Sequence, residues 1–523
     1  MVEQKWVSHL KDSIPEEAYG YPVSMYSIAL EGWRRGLELR FENNNRVKSV
    51  IRYSLSDGKK THYFTGSQGD LVSREAIRIC SNKALTKEYL SKAEVTIAEG
   101  KVFDKKATDE DIIHYVEEIG YPVVIKPVRG AGGRGVIADI RDKISFLQAL
   151  KYVKNELGHE QIIVEKHIEG EDYRVYVVGD KVIGAINRIP ANVIGDGKKT
   201  ISQLLKEKNK EKKNNPAITD SPIRKDSEML AQLKKYGYTL DSVPLKGERI
   251  FLKTKSNISA GGEPVDATEK LSEEVKENAI KAVKAIPGLN HGGVDILWDS
   301  SSNNMAVLEV NTIASIRSHL FPLEGKARDV PKAIVDFYFP DTKANHEYPF
   351  YYFEIEDILK GFTNNRLMEV SIPNHPKGDL VSKRIIIDNV QKPLAFTRKK
   401  FKVAKNLQLN GYIQNVGKKT VEIIVSGPKE KVHKFENKLN EESEAEDIHV
   451  FEWNKPVKIG FERIRNNTVS KNENVEDLTI IKKESLRLKK ERDFYKEKYE
   501  KVVNSKVWRL ANIIRKFMKR KKR

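Results

Sequence analysis

Cysteine is all but absent. The 523-residue chain has one, Cys80, which excludes a disulfide framework, a cysteine-ligated zinc site and an iron–sulfur cluster. Long apolar runs are absent too: nothing approaches the ~18 apolar residues of a membrane span. The first twenty residues lack the apolar h-region of a signal peptide, so a reducing, cytoplasmic setting is expected. Apolar residues are 39% of the chain, enough to build real cores and to exclude disorder throughout.

Lys and Arg number 93 against 74 Asp and Glu, a net charge of +19, which suggests an anionic partner. The surplus is uneven. Residues 501–523 carry ten basic side chains and no acidic one. The charge therefore describes a tail rather than a nucleic-acid-binding domain, and no nucleic acid is expected as a partner.

Period and composition divide the chain. Residues 1–80 mix strand-like and helical patterns. Residues 81–340 alternate β-rich and helical runs, which predicts an α+β or α/β domain. Within them the Lys-rich run KEKNKEKKNNP (206–216) reads as a mobile loop, and 206–225 as a candidate lid. Residues 341–381 read as a connector. Residues 382–465 follow the order of a small split βαβ sandwich. A polar linker (466–477) leads to a helical, basic segment (478–523), where Ile481, Leu488, Tyr495 and Val502 recur every seven residues, a thin coiled-coil stripe.

Three segments carry chemistry. In YPVVIKPVRGAGGRGV (121–136) a strand ends at Lys126-Pro127, and Gly130, Gly132, Gly133 and Gly135 crowd around Arg134. Glycines let backbone N–H groups line an anion, and Lys126 adds a point charge. The spacing is neither the Walker A loop nor the dinucleotide fingerprint, and a flexible hairpin is the plain alternative. In VDILWDSSSNNMAVLEVNT (294–312) two strands flank a turn. Asp295 stands early in the first, and Glu309 and Asn311 late in the second, two apart and on one face. Two carboxylates and an amide oxygen suit Mg²⁺ with bridging phosphates. In IIVEKHIEGEDYRV (162–175) Glu165 follows an apolar strand and Glu171, Asp172 and Arg174 follow a turn at Gly170.

Together with SNKALTKEYL (81–90), RIPANVIGDGKKTI (188–201), YTLDSVPLKGERIFLKTKSNISAGGEPVDAT (238–268) and SIRSHLFPLEGKARDVPKAIVDFYFP (315–340), these segments resemble the ATP-grasp carboxylate–amine ligases. The resemblance is closest to the ATP-grasp half of cyanophycin synthetases and of bifunctional glutathione-forming enzymes, and covers about half of the chain. It implies ATP and Mg²⁺ (or Mn²⁺) as cofactors and an amino-acid or peptide-like substrate. It implies an acyl phosphate that an amine attacks, in the setting of a cell-envelope polymer. By the same resemblance Lys83 and Lys126 contact the nucleotide phosphates and Gly130–Gly135 covers them. Glu165 and Ile168 form the hinge beside the adenine, Asp172 holds the ribose, and Asp295, Glu309 and Asn311 bind the metal. Arg188, Lys253, Arg317 and His319 hold the γ-phosphate, the acceptor carboxylate or the intermediate. The chain lacks the GxxGKT loop of the cyanophycin enzymes' second half, and 80 residues cannot hold the N-terminal ligase of the glutathione enzymes. Neither product is therefore carried over.

The block 382–454 resembles acylphosphatase through NVQKPLAF (389–396), AKNLQLNGYIQN (404–415) and VHKFENKL (432–439). Asn415 matches the water-positioning asparagine. Thr397 stands where that family has its arginine, with Arg398 one position later, and the cradle loop lacks its glycines, so an inactive fold is expected. The fold class is thus α+β: an ATP-grasp fold, a ferredoxin-like βαββαβ domain and a basic helix. In the tail, Val507, Trp508, Leu510, Ile513, Ile514 and Phe517 gather at helical spacing beside basic residues, a pattern for an interfacial helix on anionic lipid at the inner membrane face. An oligomerising helix, and with it a homo-oligomer, is the alternative. Two rival functions remain: an acylphosphatase regulated by its nucleotide domain, and a nucleotide-binding scaffold at the membrane.

Overall fold

The computed structural model describes residues 6–43, 51–130, 135–364, 366–440 and 447–464. Gly132, Gly133, Arg134, the expected linker 466–477 and the expected helix 478–523 lie outside the described residues. Among the described residues no helix is long and apolar enough to cross a membrane. The chain forms two compact units. The larger comprises residues 1–382, 426–429 and 454–459; the smaller comprises 383–425, 430–453 and residues from 460 onward.

The boundary expected at residue 80 is not a boundary of these units. Helix Val23–Arg34 is buried along its whole length, which its run of small and apolar residues allows. Strands Glu38–Asn43, Ile51–Ser56, Thr61–Thr65 and Gln68–Gly69 form an antiparallel sheet beside it. The stretch read as a connector supplies the fifth strand, Glu369–Ser371, paired antiparallel to Glu38–Asn43.

Two sheets hold the residues of interest. The first has four antiparallel strands in the order Gly100–Phe103, Ile162–Lys166, Val123–Pro127, Ile137–Ile140. Helices Asp109–Ile119 and Lys143–Lys151 place Ile112, Val116, Phe146 and Leu150 on it. The second has five, in the order Glu263–Asp266, Lys181–Ile189, Glu171–Val178, His291–Trp298, Met305–Asn311. Helix Glu273–Lys284 buries Val275, Ala279, Ala282 and Val283 against it.

Most of the Lys-rich run is helix rather than loop, since helix Ile201–Lys213 takes in residues 206–213. Helix Ile201–Lys213 opens with a capping box in which the Thr200 and Gln203 side chains reciprocally satisfy each other's backbone N–H. Ile201, Leu204 and Leu205 pack into a core with Met229, Leu233 and Ile250. Three apolar residues in the first two turns anchor it; most of the charge run faces outward, while Lys212 is buried.

The smaller unit has the expected order: strand Leu380–Asp388, helix Pro393–Asn406, strands Asn410–Asn415 and Val421–Pro428, helix Lys429–Asn440, strand Asp447–Glu452. A further strand, Phe461–Ile464, runs parallel to Asn410–Asn415 at the sheet edge.

Candidate functional site

Side chains from these two sheets of the larger unit line a cavity of about 870 Å³. Lys83, Lys126, Gly130, Glu165, Ile168 and Asp172 meet there with Arg188, Asp295, Glu309, Asn311, Arg317 and His319. These are twelve of the residues that the sequence singled out. Gly135 and Lys253 do not line it.

At one end lies a cation cluster. Strand Val123–Pro127 carries Lys126, only 6% exposed. Its Nζ is ion-paired with Glu165. Glu165 belongs to strand Ile162–Lys166 rather than following it. Its second oxygen takes Lys87 at 2.7 Å, and Lys87 also donates to the Ala98 carbonyl at 2.8 Å. Burial would raise the Glu165 pKa, but Lys126 and Lys87 hold it below the usual carboxylate range. The Glu165 side chain thus faces two lysines, and it lines the cavity together with Ile168, the other residue expected at the hinge. Lys87 was missed by the sequence reading, although it lies in the quoted segment SNKALTKEYL. Lys83 opens helix Lys83–Lys92 behind the N-cap Asn82. Its Nζ donates to the Gly130 carbonyl at 3.0 Å and lies 3.3 Å from Glu309. Gly135 has φ +72, and a Cβ there would lie 3.2 Å from Leu157 and 3.3 Å from Pro127, so the position needs glycine.

At the other end, antiparallel register sets Asp295 directly opposite both Glu309 and Arg174. Strand His291–Trp298 starts earlier than expected, so Asp295 sits within it rather than near its beginning. Arg174 grips Asp295 with both prongs, Nε to Oδ1 at 2.6 Å and Nη2 to Oδ2 at 2.7 Å. Arg188 lies 3.3 Å from the same carboxylate and also pairs with Asp172. Burial works to raise the Asp295 pKa, but Arg174 and Arg188 hold it at about 2. Asn311 Nδ2 donates to Glu309 at 3.2 Å. Asp172, the residue expected on a ribose, lines the cavity and accepts from Arg188 and from Ser256. Arg174 also went unassigned from sequence; its signal is the i, i+2 spacing from Asp172 on one strand face.

The four softer assignments separate. Arg317 pairs with Asp220 at 2.8 Å. His319 is 1% exposed, and neither ring nitrogen has a hydrogen-bond partner among the described residues. Burial, then Arg174, pushes its pKa down to about 3, so the ring is neutral at working pH. Lys253 pairs with Asp226 at 2.5 Å, outside the cavity lining. The segment carrying Arg317 and His319 is pinned by the N-terminal region: the Ser24 hydroxyl accepts from the Ile316 N–H at 3.1 Å, and Ser67 donates to the Ala314 carbonyl at 2.6 Å.

Another group, His9, Asp329 and His346, has ligand atoms within 4.8 Å of one another. His9 Nε2 already bonds Asp329 at 2.8 Å, and Arg34 Nη1 faces His9 Nδ1 at 3.4 Å. His346 Nε2 bonds Glu31 at 2.9 Å, so the histidines of this group are already engaged within the fold.

In the smaller unit Asn415 ends strand Asn410–Asn415. Thr397 is 2% exposed inside helix Pro393–Asn406, and its hydroxyl donates to the Leu394 carbonyl. Arg398 is exposed.

Residues 82–190 match the family Carbamoyl-phosphate synthase L chain, ATP binding domain, and residues 385–462 match Acylphosphatase. The chain carries an ATP-grasp domain and a C-terminal acylphosphatase domain. Its ATP-grasp part is similar to the cyanophycin synthetase of Trichormus variabilis, 32% identical over 348 residues, 65% of this chain and 37% of that protein. It is also similar to the glutathione biosynthesis bifunctional protein GshAB of Clostridium perfringens, 31% identical over 332 residues, 61% of this chain and 41% of that one. A bifunctional glutathione synthetase structure from Pasteurella multocida is 26% identical, covers 56% of this chain and 40% of its own, and has a TM-score of 0.44. The chain spans about two fifths of the length of the curated relatives named here.

Proposed function

We propose that the chain is an ATP-dependent carboxylate–amine ligase. The observation that carries this reading is the cavity itself, where Lys126, Lys83 and Arg188 meet the facing carboxylates of Asp295 and Glu309. A carboxylate is a poor electrophile for an amine. Transfer of the γ-phosphoryl group of ATP to one carboxylate oxygen releases ADP and gives an acyl phosphate. An amine then attacks the acyl carbon, the carbon–nitrogen bond forms, and inorganic phosphate leaves with the carboxylate's former oxygen. Positioning and charge neutralisation account for most of phosphoryl-transfer catalysis.

The residues fit a divalent cation. Two carboxylates face one another in register, one is ionised at any working pH, and an amide stands beside them. Asp295, Glu309 and Asn311 would hold Mg²⁺ or Mn²⁺, which supplies positive charge for the phosphate oxygens. Lys126 has Glu165 as its counter-ion, and Lys87 remains with Glu165 when Lys126 turns to a phosphate. Arg188 orients the acceptor carboxylate from its place beside Asp172. Neutral His319, whose ring nitrogens have no partner among the described residues, hydrogen-bonds the acid or the amine.

The acid is an amino acid or a peptide-like polymer end, in keeping with the similarity to a cyanophycin synthetase and a glutathione biosynthesis protein. An ADP-release assay across a panel of amino acids, with mass detection of the product, decides the reading. ADP release with no amide-bonded product in any pairing would count against a ligase.

The rival phosphatase reading meets an obstacle at Thr397, which is buried within a helix, while Arg398, about 100° further around that helix, is exposed. The full chain is therefore expected to hydrolyse benzoyl phosphate no faster than buffer. Rapid hydrolysis abolished by Asn415→Ala would establish an active cradle. The tail 505–523 is proposed to bind anionic membrane, its basic residues adding about 1 kcal/mol per charge near such a surface. Co-sedimentation with anionic vesicles should fall with salt and with Trp508→Ser/Phe517→Ser. Equal recovery with neutral vesicles would point to a partner-binding or oligomerising helix.

A further inference from the structure

Lys212 stands at the end of helix Ile201–Lys213, inside the charge run, yet is 1% exposed. Its Nζ donates to the carbonyls of Gly261 at 2.8 Å and Gly262 at 3.1 Å. Those carbonyls close the segment between strands Arg249–Phe251 and Glu263–Asp266. Asn257, Ile258 and Ser259 of the same segment line the cavity, and Ser256 donates to Asp172. The backbone here is tightly folded: Gly261 has φ +101, and a Cβ on Gly262 would lie 2.5 Å from the Ser256 carbonyl. The charged groups bearing on Lys212 are Glu263 on the adjoining strand and Lys208 and Glu211 on its own helix, and Glu263 is itself ion-paired with Lys208.

We propose that Lys212 is a positioning residue for the ATP-grasp site, its ammonium clamping the Gly261 and Gly262 carbonyls from behind and so fixing the Ser256–Ser259 wall of the cavity. Burial lowers its pKa to about 8. Above that pH the charge-assisted bonds become neutral amine bonds, which are weaker. The stability sign runs the other way. The folded pKa lies below the ordinary 10.5, so the unfolded chain binds more protons between about pH 8 and 10.5, and this group makes the fold more stable across that window. The clamp therefore loosens locally in a range where its titration favours the folded state. Only the kinetic consequence rests on the ligase reading.

The test is amide hydrogen exchange of the full chain by mass spectrometry, corrected for the intrinsic base-catalysed rate. Protection of residues 256–262 should fall between pH 7 and 9.5 with a midpoint near 8, while peptides from strand Glu171–Val178 keep theirs. Lys212→Met should speed exchange in 256–262 about tenfold at pH 7, with melting temperature unchanged or higher. It should also raise the KM for magnesium ATP and retain kcat. Should Lys212→Met fold poorly, the wild-type pH series decides alone. Protection of 256–262 that stays flat from pH 7 to 9.5 overturns the clamp. Absence of ATP turnover in the wild type would remove the ligase reading and leave the exchange result to judge the clamp.

Discussion

Lys126→Ala and Glu309→Gln are each expected to lower Mg²⁺-dependent ADP release by about 10²–10³-fold, the usual cost of removing one preorganised charge from a transition state. The structure makes the lysine substitution readable. Deleting Lys126 leaves the buried Glu165 carboxylate with Lys87 at 2.7 Å, so no lone charge is stranded and the fold should hold. Glu309 has a 3.3 Å contact to Lys83, a long hydrogen bond from Asn311 and a side-chain interaction with Asp295, none of them an apolar packing contact. Thermal melts of both variants should overlay the wild type. Wild-type turnover in both would show that this cavity is not where ATP reacts.

Asp295→Asn should act on both stability and turnover. Asp295 is 4% exposed and is the bidentate partner of Arg174. An amide cannot answer both prongs as an anion does, and Arg188 keeps only Asp172. Breaking a buried pair from one side costs about 3–5 kcal/mol, read as a lowered midpoint in denaturant. The pH dependence has a definite sign. A carboxylate depressed to about 2 contributes stability in full above its unfolded value of 3.8 and loses it as the pH falls towards 2. The gap between variant and wild type should thus be constant near neutrality and close in strong acid. An unchanged midpoint at pH 7 would mean that the Arg174–Asp295 pair is not a supporting element.

The site was more legible than the elements around it. A glycine cluster after a strand ending in Lys-Pro, and two acidic strands around a polar turn, are local signals, and local sequence carries them. What pairs with what across the fold is not local. Glu165 looked like the first residue after a strand, and only the sheet shows it between Lys87 and Lys126. Arg174 was visible, but its partner lies 121 residues away. Helix Ile201–Lys213 was misread because charge density outweighed its three core residues; the Thr200–Gln203 capping box was the signal to weigh instead. Strand Glu369–Ser371 has too few residues to announce itself, and exists because Glu38–Asn43 presents an edge. The βαββαβ order of the smaller unit was legible because each strand and helix there is bounded by its own turn, whereas the edge strand Phe461–Ile464 went unread.

The larger unit is not finished where the smaller one begins. Strand Val457–Lys458 runs parallel to Tyr351–Tyr352, the Val457 N–H bonds the Phe350 carbonyl at 2.8 Å, and Lys458 reaches Glu354 at 2.9 Å. Those contacts belong to the ATP-grasp unit, yet the chain supplies them only after 383–425 and 430–453 have been made. Synthesis runs from the N-terminus, and domains generally fold as units as they emerge. Here the ribosome delivers the first 382 residues with the edge at Tyr351–Tyr352 still open. The acylphosphatase-type domain is then translated as a parenthesis, and the returning chain closes the edge. An exposed strand edge is a template for unwanted pairing. A gene truncated after Ser382 would therefore yield a larger unit without Val457–Lys458 on the Tyr351–Tyr352 edge.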